Sequence, residues 1–521
     1  MAALAAIGAS AQTMYDALNF SETDWYGTAR SIAMGNAMTA VGGDLGGIAI
    51  NPAGSAVTGY SLFAITPGLS ISSNTSQFTQ GVQSSSVLKN GQTKFILPSC
   101  GFILDFDFGD SSGLCNWTFG FTANASNYYN NGTVGRGVNA GSCLSGLLAV
   151  NATNNAYKWS SLTGYTADYP TSVAYNSCSI DPLNTDSTGE FVDDGNFIGI
   201  QENYTAGKEP TLGGAINEKY NEETYGHKAD YLINFGFNIA NTVYIGTNLG
   251  LQSISYTKGY SIYESALDPS VFQTGFNDLR YAYSYKAEGT GVYGKIGVIV
   301  TPGSGLRLGA TFQTPTVISI KERYCHSMSN SYYTSGRLAT NDPVSSPEGT
   351  FRYKITTPMS FSLGVAYTLG SVGVISVDYE RVNYSRMKLS SYNSNFSVDF
   401  DAENDDIKEF MGASNMLRAG LEVRLKETLA IRAGYNFTSG AERRYGSTGT
   451  LERVKADINA FSLGLGYDSD GSFFADLCGR LTMRSDEDIL LYDNYLSDAL
   501  SPSLNVKRNL FTIAATIGWR F

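Results

Sequence analysis

Histidine is almost absent: two residues in 521, at 227 and 326. With no G-x-S-x-G elbow and no phosphate-binding glycine loop, that scarcity argues against a hydrolase triad or a nucleotide enzyme, and no catalytic role is assigned. The six cysteines (Cys100, Cys115, Cys143, Cys178, Cys325, Cys478) include no C-x-x-C pair, so no metal site is expected. In an exported chain Cys143 and Cys178, which share one long polar segment, are the expected disulfide. Charged residues are only 16% and the net charge is −12, which excludes a basic face for nucleic acid. No window offers the roughly 18 uninterrupted apolar residues of a transmembrane helix. Runs of helix formers are scarce after the first 60 residues, and proline is held to 13.

What the chain has instead is glycine (57), tyrosine (34), phenylalanine (27) and strict alternation. In "LRAGLEVRLK", Leu417, Ala419, Leu421, Val423 and Leu425 share one face, and Arg418, Glu422, Arg424 and Lys426 the other. "TLAIRAGYNF" repeats the pattern after a two-residue turn, which makes a hairpin with one apolar and one polar face. Turn signals and apolar faces together predict strands at 58–73, 91–108, 114–128, 227–240, 241–257, 279–301, 305–322, 349–369, 371–389, 413–426, 427–438, 453–468, 471–484 and 507–521.

The connections alternate between short turns and long loops, the longest at 129–226. An even number of strands with short turns at one end and long loops at the other is the pattern of a bacterial outer-membrane barrel. The expected fold is therefore all-β: a fourteen-stranded antiparallel transmembrane barrel in the outer membrane, in contact with lipid and lipopolysaccharide. The last strand, "NLFTIAATIGWRF", ends in Phe521, as the assembly signal of such barrels does. About eight strands pack a lumen shut, and fourteen do not. Such a lumen is either left porous or filled by a plug.

The N-terminal stretch "GTARSIAMGNAMTAVGGDLGGIAINPAGSA" is built for that task. Its small residues let backbones pack closely, and its glycines permit the φ > 0 turns of a folded plug. Pro52 pushes Asn51 into an extended conformation, from which Asn51 caps a short helix. The expected organisation is a residual signal peptide at 1–11, a hatch at 12–57 and the barrel at 58–521.

That stretch resembles the FadL/TodX family of outer-membrane transporters for hydrophobic compounds. So do "GKIGVIVTPGSGLRLGATFQTPT" (Gly294–Thr316), "TTPMSFSLGVAY" (from Thr356), "VISVDYERVNYS" (from Val374), the 417–437 hairpin and the final strand. The resemblance implies passive uptake of long-chain fatty acids or other hydrophobic molecules. Ligand would be captured among outer loops, held in the lumen, gated by the hatch and released sideways at a kinked third strand.

Carried onto this sequence, the gate falls at Asn51, Pro52 and Ala53. The lateral opening falls at Gly120, Asn124 and Ser126, since glycine and small polar residues mark strand bulges. A capture surface falls at Tyr263, Leu267, Val271, Phe272 and Phe276, although these aromatics would equally pack the loop on itself. Inward arginines (Arg307, Arg418, Arg432, with Arg424 and Arg480) would anchor a carboxylate or pair with Glu422 and Asp476. A monomeric barrel without a cofactor is expected. Two alternatives are a haem-binding receptor using His326 and a non-transporting barrel subunit of a protein-export assembly, with a protein partner.

Overall fold

The computed structural model describes residues 13–83, 85–393, 398–446, 449–469, 472–493 and 501–521. The expected signal remnant at 1–11 lies outside them. Fourteen strands close into one antiparallel barrel. Its first half comprises β1 Leu62–Gln80, β2 Leu88–Asp107, β3 Leu114–Tyr128, β4 Ile216–Ile239, β5 Val243–Ala266, β6 Phe276–Gly303 and β7 Leu306–Gln313, resumed as Val317–Thr334. The second half comprises β8 Gly349–Thr356, resumed as Ser360–Thr368, β9 Gly373–Asn383, resumed as Lys388–Ser391, β10 Ala413–Lys426, β11 Leu429–Thr438, β12 Ile458–Ser469, β13 Phe473–Leu490 and β14 Ser503–Arg520. The breaks in β7 and β8 fall at Pro315 and Pro358, which have no N–H to give the ladder. β1 pairs with β14 from Leu62↔Arg520 to Gln80↔Ser503, and this seam closes the wall.

The two faces of the wall are sorted as the alternation predicts. Leu417, Leu421, Ile431, Leu463, Ile517 and Trp519 are exposed on the outside. Their neighbours Arg418, Glu422, Thr512 and Thr516 are buried inside. An apolar exterior around a polar interior is the reverse of a soluble sandwich and fits a wall in lipid. Among the described residues no helix is long and apolar enough to cross a membrane.

The strands outrun the sequence reading at the loop end. β5 continues to Ala266 and β6 begins at Phe276, so the expected 258–278 loop shrinks to 267–275. The 129–226 connection carries α3 Leu144–Asn154, α4 Trp159–Thr163 and α5 Tyr169–Asn176, which pack a core of Leu144, Leu148, Leu162 and Val173 onto Phe272, Phe276 and Tyr281. All six cysteines are free thiols, so the expected Cys143–Cys178 bond is not formed: Cys143 is buried at the start of α3 and Cys178 is exposed beyond α5. Both histidines lie within strands, His227 in β4 and His326 in β7.

Residues 13–57 lie inside the lumen: α2 Ala29–Ala33 and two single-turn 3-10 helices, Gly46–Ala49 and Pro52–Ser55, fill its turn end, and α1 Met14–Ser21 reaches toward the loop end, where it packs on Tyr256, Tyr353 and Phe400. Thr13 and Asp16 cap α1 reciprocally. The segment seats on a row of inward-facing wall glycines. A Cβ at Gly246 would come within 2.3 Å of the Pro52–Ala53 backbone, one at Gly309 within 2.1 Å of the Thr39 carbonyl, and one at Gly434 within 2.0 Å of the Gly35 nitrogen. Gly236↔Gly246↔Gly297 and Gly420↔Gly434 are direct cross-strand neighbours, so these glycines form arcs of a belt.

Candidate functional site

The hatch is tied to the wall by polar contacts all round. Asn51 is fully buried. Its Nδ2 donates to the Thr39 carbonyl at 2.6 Å and the Val298 carbonyl at 3.2 Å, while its Oδ1 accepts from Ala53 N at 3.0 Å and caps the short helix. Pro52 and Ala53 lie against Gly246. The Lys295 ammonium donates to the Ala49 carbonyl at 2.8 Å, and Asn234 donates to the Pro52 carbonyl at 3.1 Å.

Of the sequence-predicted arginines, Arg418 and Arg432 are engaged in this seating. Glu422 sits between Arg30 of the hatch at 2.8 Å and Arg432 of β11 at 2.6 Å, and Arg432 also pairs with Asp476. Arg418 is buried against Glu380 and donates to the Asn36 carbonyl at 3.4 Å. Arg307 lies just past the β6–β7 turn. None of the three borders the lumen cavity.

That cavity, about 1110 Å³, occupies the loop end of the barrel above the hatch. α1 contributes Tyr15, Asp16 and Leu18, and the next hatch residues contribute Glu22, Asp24 and Tyr26. The wall contributes Tyr128, Tyr129, Tyr256, Tyr283, Tyr285 and His326, with Lys258, Arg480 and Arg508. Each of these cations has a carboxylate: Lys258 with Glu222 at 3.0 Å, Arg480 with Asp24 at 2.5 Å and Arg508 with Glu222 at 3.9 Å. The tyrosines went unremarked in the sequence, although Tyr281, Tyr283 and Tyr285 stand at alternate positions of one strand and therefore on one face.

His326 is ringed by Tyr169, Tyr281, Tyr283 and Tyr324, with centroids 4.8 to 6.2 Å away. Its Nδ1 bonds the Tyr281 hydroxyl at 2.7 Å. It pairs with Tyr283, far from the Gly303 turn and beyond the nine to eleven residues a tilted strand needs to cross a bilayer. Burial pushes its pKa down to about 4, so the imidazole is neutral at pH 7.

The cavity meets the wall at β3. Up to Asn124, which pairs with Ser99, β3 is laddered to β2. Beyond that point residues 88–96 of β2 pair with β1 alone. On its other side β3 bulges between Ala125 and Asn127, so the extra residue is Ser126. Gly120, expected to take part in the kink, sits in unbroken ladder opposite both Ile103 and Asn234. The chain continues as Asn131–Asn139, paired with β4 and crossing the inner face of β1, where Asn74 Nδ2 donates to the Gly132 carbonyl at 2.6 Å. The edge that β2 leaves is taken by the hatch: Asp24 N donates to the Ser126 carbonyl and Tyr26 N to the Ala125 carbonyl, both at 2.9 Å. Tyr26, Ile96 and Ala125, with Tyr128 against them, make an apolar plug at the gap.

The expected capture residues do not border the cavity. Phe272 and Phe276 are buried beneath α3 in the loop core, while Leu267 and Val271 are exposed at the outer rim, about half their surface open (51% and 46%). Tyr263 is partly buried and lies under the Lys219 ammonium at 5.0 Å.

A second cluster holds the loop-end cap. Glu218 and Glu264, at the far ends of β4 and β5, share the Tyr492 hydroxyl at 2.9 Å each. Glu264 also accepts from Leu144 N, the first residue of α3, at 3.1 Å and from Gln201 Nε2 at 2.8 Å; Asn139 donates to Glu218 at 3.0 Å. Burial raises both acids, Glu264 to about 7, and Glu264 raises Glu218 further.

No family model and no curated protein sequence matches the chain. Solved structures do. The Pseudomonas putida toluene transporter TodX superposes with a TM-score of 0.50 at 13% identity, covering 96% of this chain and 99% of TodX. A TodX monoaromatic hydrocarbon channel variant, deltaS2, gives 0.51 at 14% identity, covering 95% and 98%. A Pseudomonas aeruginosa FadL homologue matches at 10% identity and a TM-score of 0.49, covering 95% and 99%. The likeness to TodX is one of fold: this chain is a barrel of the FadL/TodX architecture.

Proposed function

We propose that this protein is an outer-membrane conduit for hydrophobic small molecules, long-chain fatty acids among them, with passive uptake and lateral release. The observation that carries the reading is the broken β2–β3 ladder. It sets the lumen cavity beside an opening in the wall that the apolar cluster of Tyr26, Ile96, Ala125 and Tyr128 fills. Ligand arriving at the loop end, past Leu267 and Val271, enters the cavity and leaves between β2 and β3 when the hatch strand at 24–26 lets go of Ala125 and Ser126. Asn51, Pro52 and Ala53 are the seat from which that strand moves, rather than the moving part. The toluene transporter TodX shares this architecture, which supports the reading.

The test is to tie the gap shut. Ile96→Cys and Ala125→Cys are bridged with a cleavable bifunctional maleimide, in a background with Cys100, Cys178 and Cys325 changed to Ser. Cells carrying the bridged barrel should take up labelled oleate at least tenfold more slowly, and cleavage should restore the rate. Unchanged uptake in a fully bridged barrel would sink the lateral route.

A further inference from the structure

Within the cavity the tyrosines form an ordered row. The His326 ring lies 4.8 Å from Tyr283, Tyr283 stacks on Tyr285 at 6.3 Å, Tyr285 meets Tyr256 at 6.0 Å and Tyr256 meets Tyr129 at 5.0 Å. The next residue, Tyr128, meets Tyr26 at 4.8 Å, and that pair closes the β2–β3 gap. All seven rings border the one cavity. We infer that this lumen takes uncharged aromatic molecules bearing a hydroxyl, handed ring to ring along this row from the loop end to the gap. The inference rests on the conduit reading above.

Two observations set the ligand class. First, the row offers faces and hydroxyls together. The hydroxyls of Tyr256 and Tyr283 have no hydrogen-bond partner among the described residues, and the His326 ring has one nitrogen beyond the one held by Tyr281. A ring with a polar substituent stacks on the faces and satisfies those groups. A saturated chain leaves them unmatched, and polar groups desolvated without a partner count against binding. Second, among the described residues the cavity has no spare cation for a carboxylate head. Lys258, Arg444, Arg480, Arg484 and Arg508 are each paired with an acid. A fatty acid would have to displace one of those acids, whereas a neutral phenol displaces none.

The experiment compares 1-naphthol, naphthalene and palmitate by calorimetry on the full-length barrel in lipid nanodiscs. 1-Naphthol should bind about tenfold more tightly than naphthalene, the effect of one to two hydrogen bonds. Tyr256→Phe with Tyr283→Phe, which keeps both rings, should bring that ratio near one by weakening 1-naphthol alone. Equal affinity in the parent protein, or a ratio the double variant does not move, overturns the inference. So does palmitate binding more tightly than 1-naphthol, a result that leaves the conduit reading standing. Binding of none of the three overturns both.

Discussion

The two ends of the lumen are built from opposite materials. At the turn end, hatch backbone lies directly on wall glycines and every approach is at the limit of contact. At the loop end, aromatic side chains and paired charges stand around about 1110 Å³ of open space. A belt of hydrogens fixes position, because a close-packed backbone interface has one register and no slack. A lining of rings tolerates many occupants, because faces are sequence-indifferent and rotamers adjust. The same barrel therefore holds a seat and a passage, and the difference between them lies in residue size more than in polarity.

The sharpest way to break the seat is Glu422→Ala. It takes the carboxylate from Arg30 and one of two from Arg432, which keeps Asp476, and removing one member of a buried ion pair costs about 3–5 kcal/mol. Urea unfolding in detergent should show a loss of that order, with Glu422→Gln falling between. Glycine substitution compares the two ends directly. Gly246→Ala and Gly434→Ala drive a methyl into hatch backbone and should each cost about 1–3 kcal/mol, read as a lower melting temperature. Gly259→Ala, on the loop-end part of β5 with its nearest atom 3.9 Å away, should be neutral. Equal losses at both ends would erase the distinction.

The cap supplies a pH test. Glu218 and Glu264 hold raised pKa values in the folded protein, so the native state binds more protons than the unfolded one between the ordinary carboxylate range and about 7. The cap is then fully stabilised at acid pH and loses that contribution as pH rises toward 7. Amide exchange in α3 should quicken severalfold from pH 5.5 to 7.5 after correction for intrinsic rates. Glu264→Gln should flatten the profile; a profile that steepens in that variant would refute the assignment. The smallest effect is expected from Leu267→Ala. It removes an exposed rim residue outside the cavity and should slow uptake by less than twofold.

Fold and site were legible in the sequence to different depths. All fourteen strands could be read because a wall between lipid and a polar lumen must alternate, as at Leu417–Lys426. Their lengths could not, because outside the membrane the sorted apolar and polar faces give way to mixed stretches such as Lys258–Ala266, which reads as loop and yet belongs to β5. The small polar stretch at 123–126 contains the bulge, but Gly120 is flat: a glycine in a strand has many uses, and only the partner's register shows which one applies. The pairing of Arg432 with Glu422 and Asp476 was legible as one of two uses for an inward arginine, whereas Glu380, the acid of Arg418, lies on the neighbouring strand and was not. The tyrosine row needs five elements and has no signature along the chain.

The seam between β1 and β14 also bears on the hatch. Thr516, on the closing strand, bonds Thr66 across the seam at 2.8 Å and accepts from Ala29 N of the hatch at 2.7 Å. One hydroxyl thus joins the first strand, the last strand and the plug. Closing the seam and seating the hatch therefore share one hydrogen-bonding centre. The seam acts as a clasp on the plug as well as on the wall, and loss of that hydroxyl would loosen both at once.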